Sequence, residues 1–254
     1  MLPDFPKINC PFIRKTFKIG KGVYKIHKSK YKLRAPEVYL VINQINPGYE
    51  WVFNDPNTIA VEKLDGFNVQ IEISNNRIVA IRNRSNFIDI SSLKIIGLDV
   101  QILEGIYSAA RKGFIQSNGE QSGELIGIKA QGNPYNIEGH EWYPFKKAIE
   151  SLKYKLFGVS DRTFNNISNW FQTSLESRYY YRYMSKKSNN NIDLKNMPFA
   201  EGVVFYNLKN KEQGTPYMAK IRRDMFVWYY EPDVPVIDYN PDCGPDNSIN
   251  NEPD

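Results

Sequence analysis

Lys63 is the residue in this chain best placed for covalent chemistry. It lies in T-I-A-V-E-K-L-D-G-F-N-V-Q-I-E-I, residues 58–73. The stretch reads as a strand from Ile59 to Glu62, a break at Asp65-Gly66 and a second strand from Phe67. A lysine at such a joint, backed by the Asp65 carboxylate and by a glycine that lets a ligand approach the backbone, is a candidate nucleophile. The plain alternative is a turn, since Asp-Gly is a favoured turn pair and Lys-x-Asp-Gly a common composition. The downstream residues bear on the choice. A basic pair follows (Arg82, Arg84), then Glu124 in G-E-L-I-G, Glu201 in E-G-V-V, and Lys220 and Arg222 in A-K-I-R-R. The last two are two residues apart, so on a strand both side chains leave one face.

Several elements have to position these groups. Phe67, Val69, Ile71 and Ile73 alternate with Asn68, Gln70 and Glu72, which predicts one apolar and one polar strand face. S-N-N-R and I-V-A-I-R-N-R then close a hairpin, and its register sets what the polar face carries. A two-residue turn at Asn75-Asn76 would pair Val69 with Arg82 and put arginines on the apolar face. A three-residue loop, Asn75 to Arg77, pairs Ser74 with Ile78, Ile73 with Val79, Ile71 with Ile81, Gln70 with Arg82 and Asn68 with Arg84. The second register keeps both faces consistent and is the one expected. It builds a polar face of Asn68, Arg82 and Arg84.

Leu98, Ile102, Ile106 and Ala110 have helical spacing within residues 97–114. A short strand is expected over S-G-E-L-I-G, a helix from Trp142 to Leu156, and a buried strand over L-F-G-V-S-D, residues 156–161. Asn165 to Lys187 reads as one long tyrosine-rich helix, its tyrosines better suited to packing than to base stacking. Strands are expected at residues 199–206 and 216–223. Near the start, K-T-F-K-I-G-K-G-V-Y-K-I suggests a hairpin turning near Gly20 to Gly22. Glu37 to Ile45 suits a strand or a short helix equally.

The 254 residues suit one large domain or two small ones. No run approaches the roughly 18 apolar residues of a membrane span, and the first residues lack the pattern of a signal peptide. Cys10 and Cys243, near opposite ends, are expected as free thiols in a reducing, cytoplasmic setting. Two histidines and no Cys-x-x-Cys argue against structural zinc and against histidine-pair chemistry. Residues 231–254 hold seven acids, no Lys or Arg, and five of the fifteen prolines, so an extended acidic tail is expected there. The remaining body has 33 basic and 21 acidic residues, a net +12 that suits a polyanionic partner.

Together, E-K-L-D-G, G-E-L-I-G, L-F-G-V-S-D, E-G-V-V and K-I-R resemble, in order, the successive motifs of the covalent nucleotidyltransferases: DNA ligases, RNA ligases and mRNA capping enzymes. The match runs from about residue 59 to 223. DNA ligases and capping enzymes usually carry Arg five residues after the nucleophile, whereas this chain has Asn68. Its Lys-x-x-Gly-x-Asn pattern resembles RNA ligases of the phage-repair and RNA-editing type. The resemblance implies an α+β fold: an adenylylation domain of the ligase type (described as ATP-grasp-like) over residues 1–230, with antiparallel sheets flanked by helices. The acidic tail, 231–254, would follow it, with no OB fold or other C-terminal domain.

It also implies the chemistry. Lys63 would attack the α-phosphate of ATP to give lysyl-AMP and pyrophosphate, and only a neutral amine can do so. Lys220 and Arg222 would disfavour the ammonium form and neutralise the α-phosphate. Glu201 would help hold Mg2+ or Mn2+. Glu62, Lys63 and Leu64 would line the nucleotide, Glu124 would bind the ribose hydroxyls and Asn68 would contact the nucleotide. Arg84, with Arg82 as competitor, would meet the acceptor-end phosphate. Phe157 would cover the adenine, although Val159 aligns about as well. The implied partner is RNA with 5′-phosphate and 3′-hydroxyl ends, with no membrane, and with an accessory protein in place of the missing C-terminal domain. Two departures stand out: the family generally has Lys where this chain has Arg222, and its members usually continue into a further domain. Guanylyl transfer as in capping, a DNA-ligase-like adenylyltransferase, and a nucleotide-binding or RNA-binding scaffold are the rival readings.

Overall fold

Strong β propensity from Thr58 to Ser74 is realised as two strands, with a break where Asp65 and Gly66 interrupt them. The computed structural model describes residues 2, 4–19, 23–26, 29–32, 37–83, 87–88, 98–155, 161–187, 196–212, 215–230 and 236–239. The first strands are β1 (Phe12–Ile19), β2 (Val23–Ile26), β3 (Ser29–Lys32) and β4 (Glu37–Ile45), followed by the one-turn helix α1 (Trp51–Asn54). Next come β5 (Thr58–Lys63), β6 (Phe67–Ser74), β7 (Arg77–Asn83), β8 (Phe87–Ile88) and α2 (Leu98–Arg111). Strands β9 (Gly119–Gly127) and β10 (His140–Pro144) precede helices α3 (Phe145–Ser151), α4 (Phe164–Thr173) and α5 (Arg178–Lys187). Strands β11 (Gly202–Glu212), β12 (Thr215–Arg222) and β13 (Val236–Tyr239) complete the order. The class is the α+β one expected, with sheets paired antiparallel.

The chain forms two units, interleaved in sequence. One comprises residues 1–7, 64–153 and 176–200. Its sheet has the order β10-β9-β6-β7-β8. Val69, Ile71 and Ile73 are buried with Ile102 and Ile106 of α2 and with Trp142, so the apolar face of β6 is the one α2 covers. The other unit comprises residues 8–63, 154–175 and 201–254. It contains the β12-β11-β5 and β13-β1-β4 sheets and an aromatic core in which Phe12 meets Phe53 and Phe164, and Phe226 meets Phe164 and Phe171.

The β6–β7 hairpin corrects the expected loop but keeps its distal register. Ser74 pairs with Arg77 and Ile73 with Ile78, so the turn has two residues, Asn75 and Asn76. Both have positive φ, +51° and +62°, as a primed hairpin turn requires and as asparagine tolerates. An irregularity then takes up one residue, and Glu72 faces Ala80, Ile71 faces Ile81 and Gln70 faces Arg82. The extra residue is the half-exposed Val79. A tight turn and an apolar-matched sheet are thus both satisfied, at the cost of one bulge.

Four other expectations are corrected. Trp142 lies in β10 rather than in a helix, because β9 needs a pairing partner: Trp142 faces Leu125, and its indole donates to the Val69 carbonyl at 3.0 Å. The long helix is two helices. Ser177 breaks it by accepting the Tyr180 amide at 3.0 Å, as an N-cap side chain does. Among the described residues β1 pairs with β4 and β13 rather than with β2, and β2 pairs with β3. Residues 236–239 of the expected extended tail form β13. Glu37 to Ile45 is a strand. Most of the L-F-G-V-S-D segment, with Phe157 and Val159, lies outside the described residues, as do Arg84, Gly20 to Gly22 and Cys243.

Gly66 owes its identity to packing. A Cβ there would lie well inside contact distance of the Leu125 carbonyl oxygen on β9. Gly66→Ala is expected to lower the unfolding free energy by about 1–3 kcal/mol, measured by urea denaturation against wild type.

Candidate active site

Strand register assembles the site from two directions. On the sheet β12-β11-β5, Gly202 pairs with Lys63 on one side and with Arg222 on the other. Val204 likewise pairs with Val61 and with Lys220. These two rows are separated by two residues, so Lys63, Arg222 and Lys220 share one face of the sheet. The backbones bearing Lys63 and Arg222 are roughly 10 Å apart, two strand spacings. Gly202 has no side chain to place between them. A Cβ there would also lie 2.7 Å from the Arg222 Cα and closer still to the Ile221 carbonyl oxygen.

Glu201 sits at the bend just before β11. Its carboxylate oxygen Oε2 lies 2.6 Å from Lys63 Nζ, and the two side chains are 13% and 19% exposed. The pair is therefore sheltered enough to resist screening yet open to a small ligand. The Glu201 carbonyl accepts the Arg223 amide at 2.9 Å, which ties this bend to the end of β12. Arg222 Nε donates to Asp224 Oδ1 at 3.0 Å, and the Lys220 amide donates to the Asn9 carbonyl at 2.9 Å. Both cationic strand residues are thus anchored, one through its guanidinium and the other through its backbone. Cys10, next along from Asn9, is a buried free cysteine. Burial pushes its thiol up to about 11, overriding the lowering effects of the Phe12 amide and the charges on Arg14, Lys220 and Arg222. It has little thiolate to offer near neutral pH.

Of the neighbours of Lys63 in the first motif, Glu62 is 2% exposed on the opposite face of β5, in the row with Val203 and Ile221, and Leu64 is also buried. Asp65 is held by its backbone: its amide donates to the buried Tyr135 hydroxyl at 2.7 Å.

On the five-stranded sheet, Asn68 faces Glu124 directly across β6 and β9. Both are partly buried, and the Asn68 amide nitrogen is 3.5 Å from the Gly123 carbonyl. Asn68 and Glu124, far apart in sequence, are therefore cross-strand neighbours on the polar face. Arg82 occupies the next row, opposite Gln70. It donates to the Leu2 carbonyl at 2.9 Å, pairs with Asp4 and lies 5.1 Å from the Phe87 ring centre. Those contacts leave Arg82 committed to the N-terminal segment. Tyr135, Gly202 and Asp224 were missed by sequence reading. Only Gly202 had a signal, as the glycine after Glu201. Tyr135 stands in an Asn- and Gly-rich loop with no pattern to mark it.

Among the described residues no three His, Cys, Asp or Glu side chains cluster as a metal cage. A lone, partly open carboxylate at Glu201 fits Mg2+ or Mn2+, since Mg2+ commonly takes one or two carboxylates and fills its remaining positions with water and substrate phosphate. No described helix is long and apolar enough to cross a membrane.

No protein-family model matches the chain, and no curated protein does. Solved structures do match. A Naegleria gruberi RNA ligase with PPi is 19% identical over 66% of this chain and 49% of its own, with a TM-score of 0.39. A mutant of a Naegleria gruberi RNA ligase with ATP and Mn is 17% identical over 87% of this chain and 62% of its own, with a TM-score of 0.42. An apo mutant is 16% identical over 86% of this chain and 61% of its own, with a TM-score of 0.41. The chain spans about half to three-fifths of the length of the ligases it is similar to.

Proposed function

We propose that this chain is an ATP-dependent RNA ligase that works through a lysyl-AMP on Lys63 and an RNA-adenylate, with the adenylylation chemistry carried within residues 1–230. The observation that carries the reading is the row of Lys63, Gly202 and Arg222 with Lys220 on the same sheet face, and Glu201 2.6 Å from the lysine. That arrangement supports reading Lys63 as the nucleophile, Lys220 and Arg222 as the cations that neutralise phosphate, and Glu201, at the bend before β11, as the carboxylate for a divalent cation.

The Lys63 amine attacks the α-phosphorus of ATP. The N–P bond forms, the bond from the α-phosphorus to the bridging oxygen breaks, pyrophosphate leaves, and the amine proton passes to solvent. Lys220 and Arg222 take up the charge that develops on the α-phosphate oxygens. Glu201 has two uses here. Paired with Lys63 it holds the lysine as an ammonium, which cannot attack. Were Glu201 to hold a divalent cation, the Lys63 amine would be freed from the pair. A divalent cation held by Glu201 would supply Lewis-acid stabilisation of the phosphoryl group. Glu124 and Asn68 are assigned to the ribose and the nucleotide on the strength of motif order, and Arg84 to the acceptor phosphate.

Incubation with radiolabelled ATP and a divalent cation, followed by denaturing electrophoresis, tests the reading. Wild type should carry label. Lys63→Ala should carry none while its circular dichroism spectrum stays unchanged. Equal labelling of both proteins would refute the assignment, and labelling from GTP alone would favour guanylyl transfer.

Arg84→Ala should still form the labelled enzyme but lose at least about tenfold in sealing 5′-phosphorylated RNA. Arg82→Ala should seal like wild type once corrected for stability. The reverse pattern, read from gel-based sealing rates, would transfer the phosphate role to Arg82.

A further inference from the structure

The loop between β9 and β10, I-K-A-Q-G-N-P-Y-N-I-E over residues 128–138, has no part in the chemistry above. Its backbone is costly. Lys129, Gln131, Asn133 and Asn136 all have positive φ, between +44° and +61°. Asparagine tolerates that conformation, whereas lysine and glutamine meet the full steric penalty. The loop is nevertheless tightly closed. Gly127 and Gly139 meet at its ends, where the Ile128 amide donates to the Gly139 carbonyl at 3.0 Å and the Ala130 amide to the Gly127 carbonyl at 3.1 Å. Inside it, Asn133 Nδ2 donates to the Ile137 carbonyl at 3.1 Å, and the Ile137 amide donates back to Asn133 Oδ1 at 3.2 Å. His140 follows, its ring held between the Glu104 carboxylate on α2, at 2.7 Å, and the Ile128 carbonyl. Backbone strain persists only where the surroundings over-determine it, and it gathers where a fixed geometry has a use.

What this loop turns inward is Tyr135. The residue is buried, and its hydroxyl accepts the Asp65 amide at 2.7 Å. Its ring packs edge-on against Tyr179 of the basic helix α5 at 4.9 Å. Tyr179 is itself held, by donating its hydroxyl to Glu141 at 2.6 Å and by packing on Tyr143 at 5.3 Å. Gly132 brings a second part of the loop to the same turn: a Cβ there would lie 3.6 Å from Asp65 Oδ2, an ordinary contact. Strand pairing ends at Lys63 and resumes at Phe67, so the ladders do not hold residues 64–66. The Tyr135 hydroxyl takes their place there. The Leu64–Asp65 peptide is trans, so fixing its N–H also fixes the direction of the Leu64 carbonyl.

We propose that the loop 128–138 is a positioning device for the reaction at Lys63, with Tyr135 as its point of contact. By holding the Leu64–Asp65 peptide in one plane, the hydroxyl limits the main-chain directions open to Lys63 and hence the lines along which its amine meets an α-phosphate. A nucleophile gains rate from being held near its line of attack, and small misplacements are costly. Tyr135 touches no reacting atom and acts through the main chain, so it is a positioning residue. The inference rests on the ligase reading for the reaction whose rate is measured.

The test is self-labelling of the full chain from radiolabelled ATP in a single turnover, followed across ATP concentration with Mn2+. Tyr135→Phe should lower the limiting rate about tenfold and leave the half-saturating ATP concentration within about twofold. Amide exchange read by NMR should show the Asp65 amide exchanging at least about tenfold faster in Tyr135→Phe, while the Val69 and Ile71 amides of β6 stay near wild type. Tyr143→Phe, which removes another buried hydroxyl, the one bonded to Ser151, should label within about twofold of wild type. Should Tyr135→Phe fold poorly, Asn133→Gly keeps the phenol and the positive-φ backbone but opens the clasp, and should slow the limiting rate about threefold. A wild-type limiting rate in Tyr135→Phe or in Asn133→Gly, a loss confined to the half-saturating concentration, or an equal loss in Tyr143→Phe would each overturn the inference. With a wild type that labels, those outcomes leave the ligase reading standing. Wild type that never labels refutes the ligase reading, and this inference falls with it.

Discussion

The close pairing of β11 with its two neighbours at Gly202 is the constraint on which the candidate chemistry depends. Three strands from distant parts of the chain meet there, and a residue with a side chain would crowd the β12 backbone. Strand pairing is insensitive to side-chain identity along most of its length. At this row it is not, because the lysine and the arginine must flank a position that holds nothing. Moving β11 by one residue against β5 would set Lys63 opposite a different row and turn the cations to the other face.

Charge balance is the second constraint. A cation bound to a carboxylate at 2.6 Å in a partly buried place is a stable resting pair and a poor nucleophile. Lys220 and Arg222 are not interchangeable within that arrangement. The guanidinium of Arg222 is oriented by Asp224, whereas Lys220 is positioned by its backbone and keeps a flexible charge.

The five-stranded sheet solves a different problem. Its apolar face must fit α2 and Trp142, and the polar face must keep Asn68 opposite Glu124. The bulge at Val79 lets a two-residue asparagine turn coexist with both. Tyrosines then extend outward from this unit. Tyr135 fixes the amide of Asp65 and packs on Tyr179, which anchors α5. One buried ring therefore serves both the loop after Lys63 and the basic helix.

Much of this was legible in the residues. The strand-break-strand around Lys63, the alternation of β6 and the placement of Glu124 and Lys220 on strands were legible in local patterning, which reflects burial on one sheet face, while the antiparallel α+β class came from the family resemblance. Motif order singled out Lys63, Glu201 and Arg222 before any contact was known. Other features needed the tertiary structure. Trp142 went into a strand because β9 lacked a partner, a demand made by a segment well removed in sequence. The hairpin took both candidate registers in succession, because turn strain and core packing act at different ends of it. The close approach of β9 to Gly66 and the hydrogen bond between Tyr135 and Asp65, 70 residues apart, are tertiary too. Periodicity reports which face of an element is buried. Which other element buries it depends on long-range pairing, and that is settled only when the chain closes on itself.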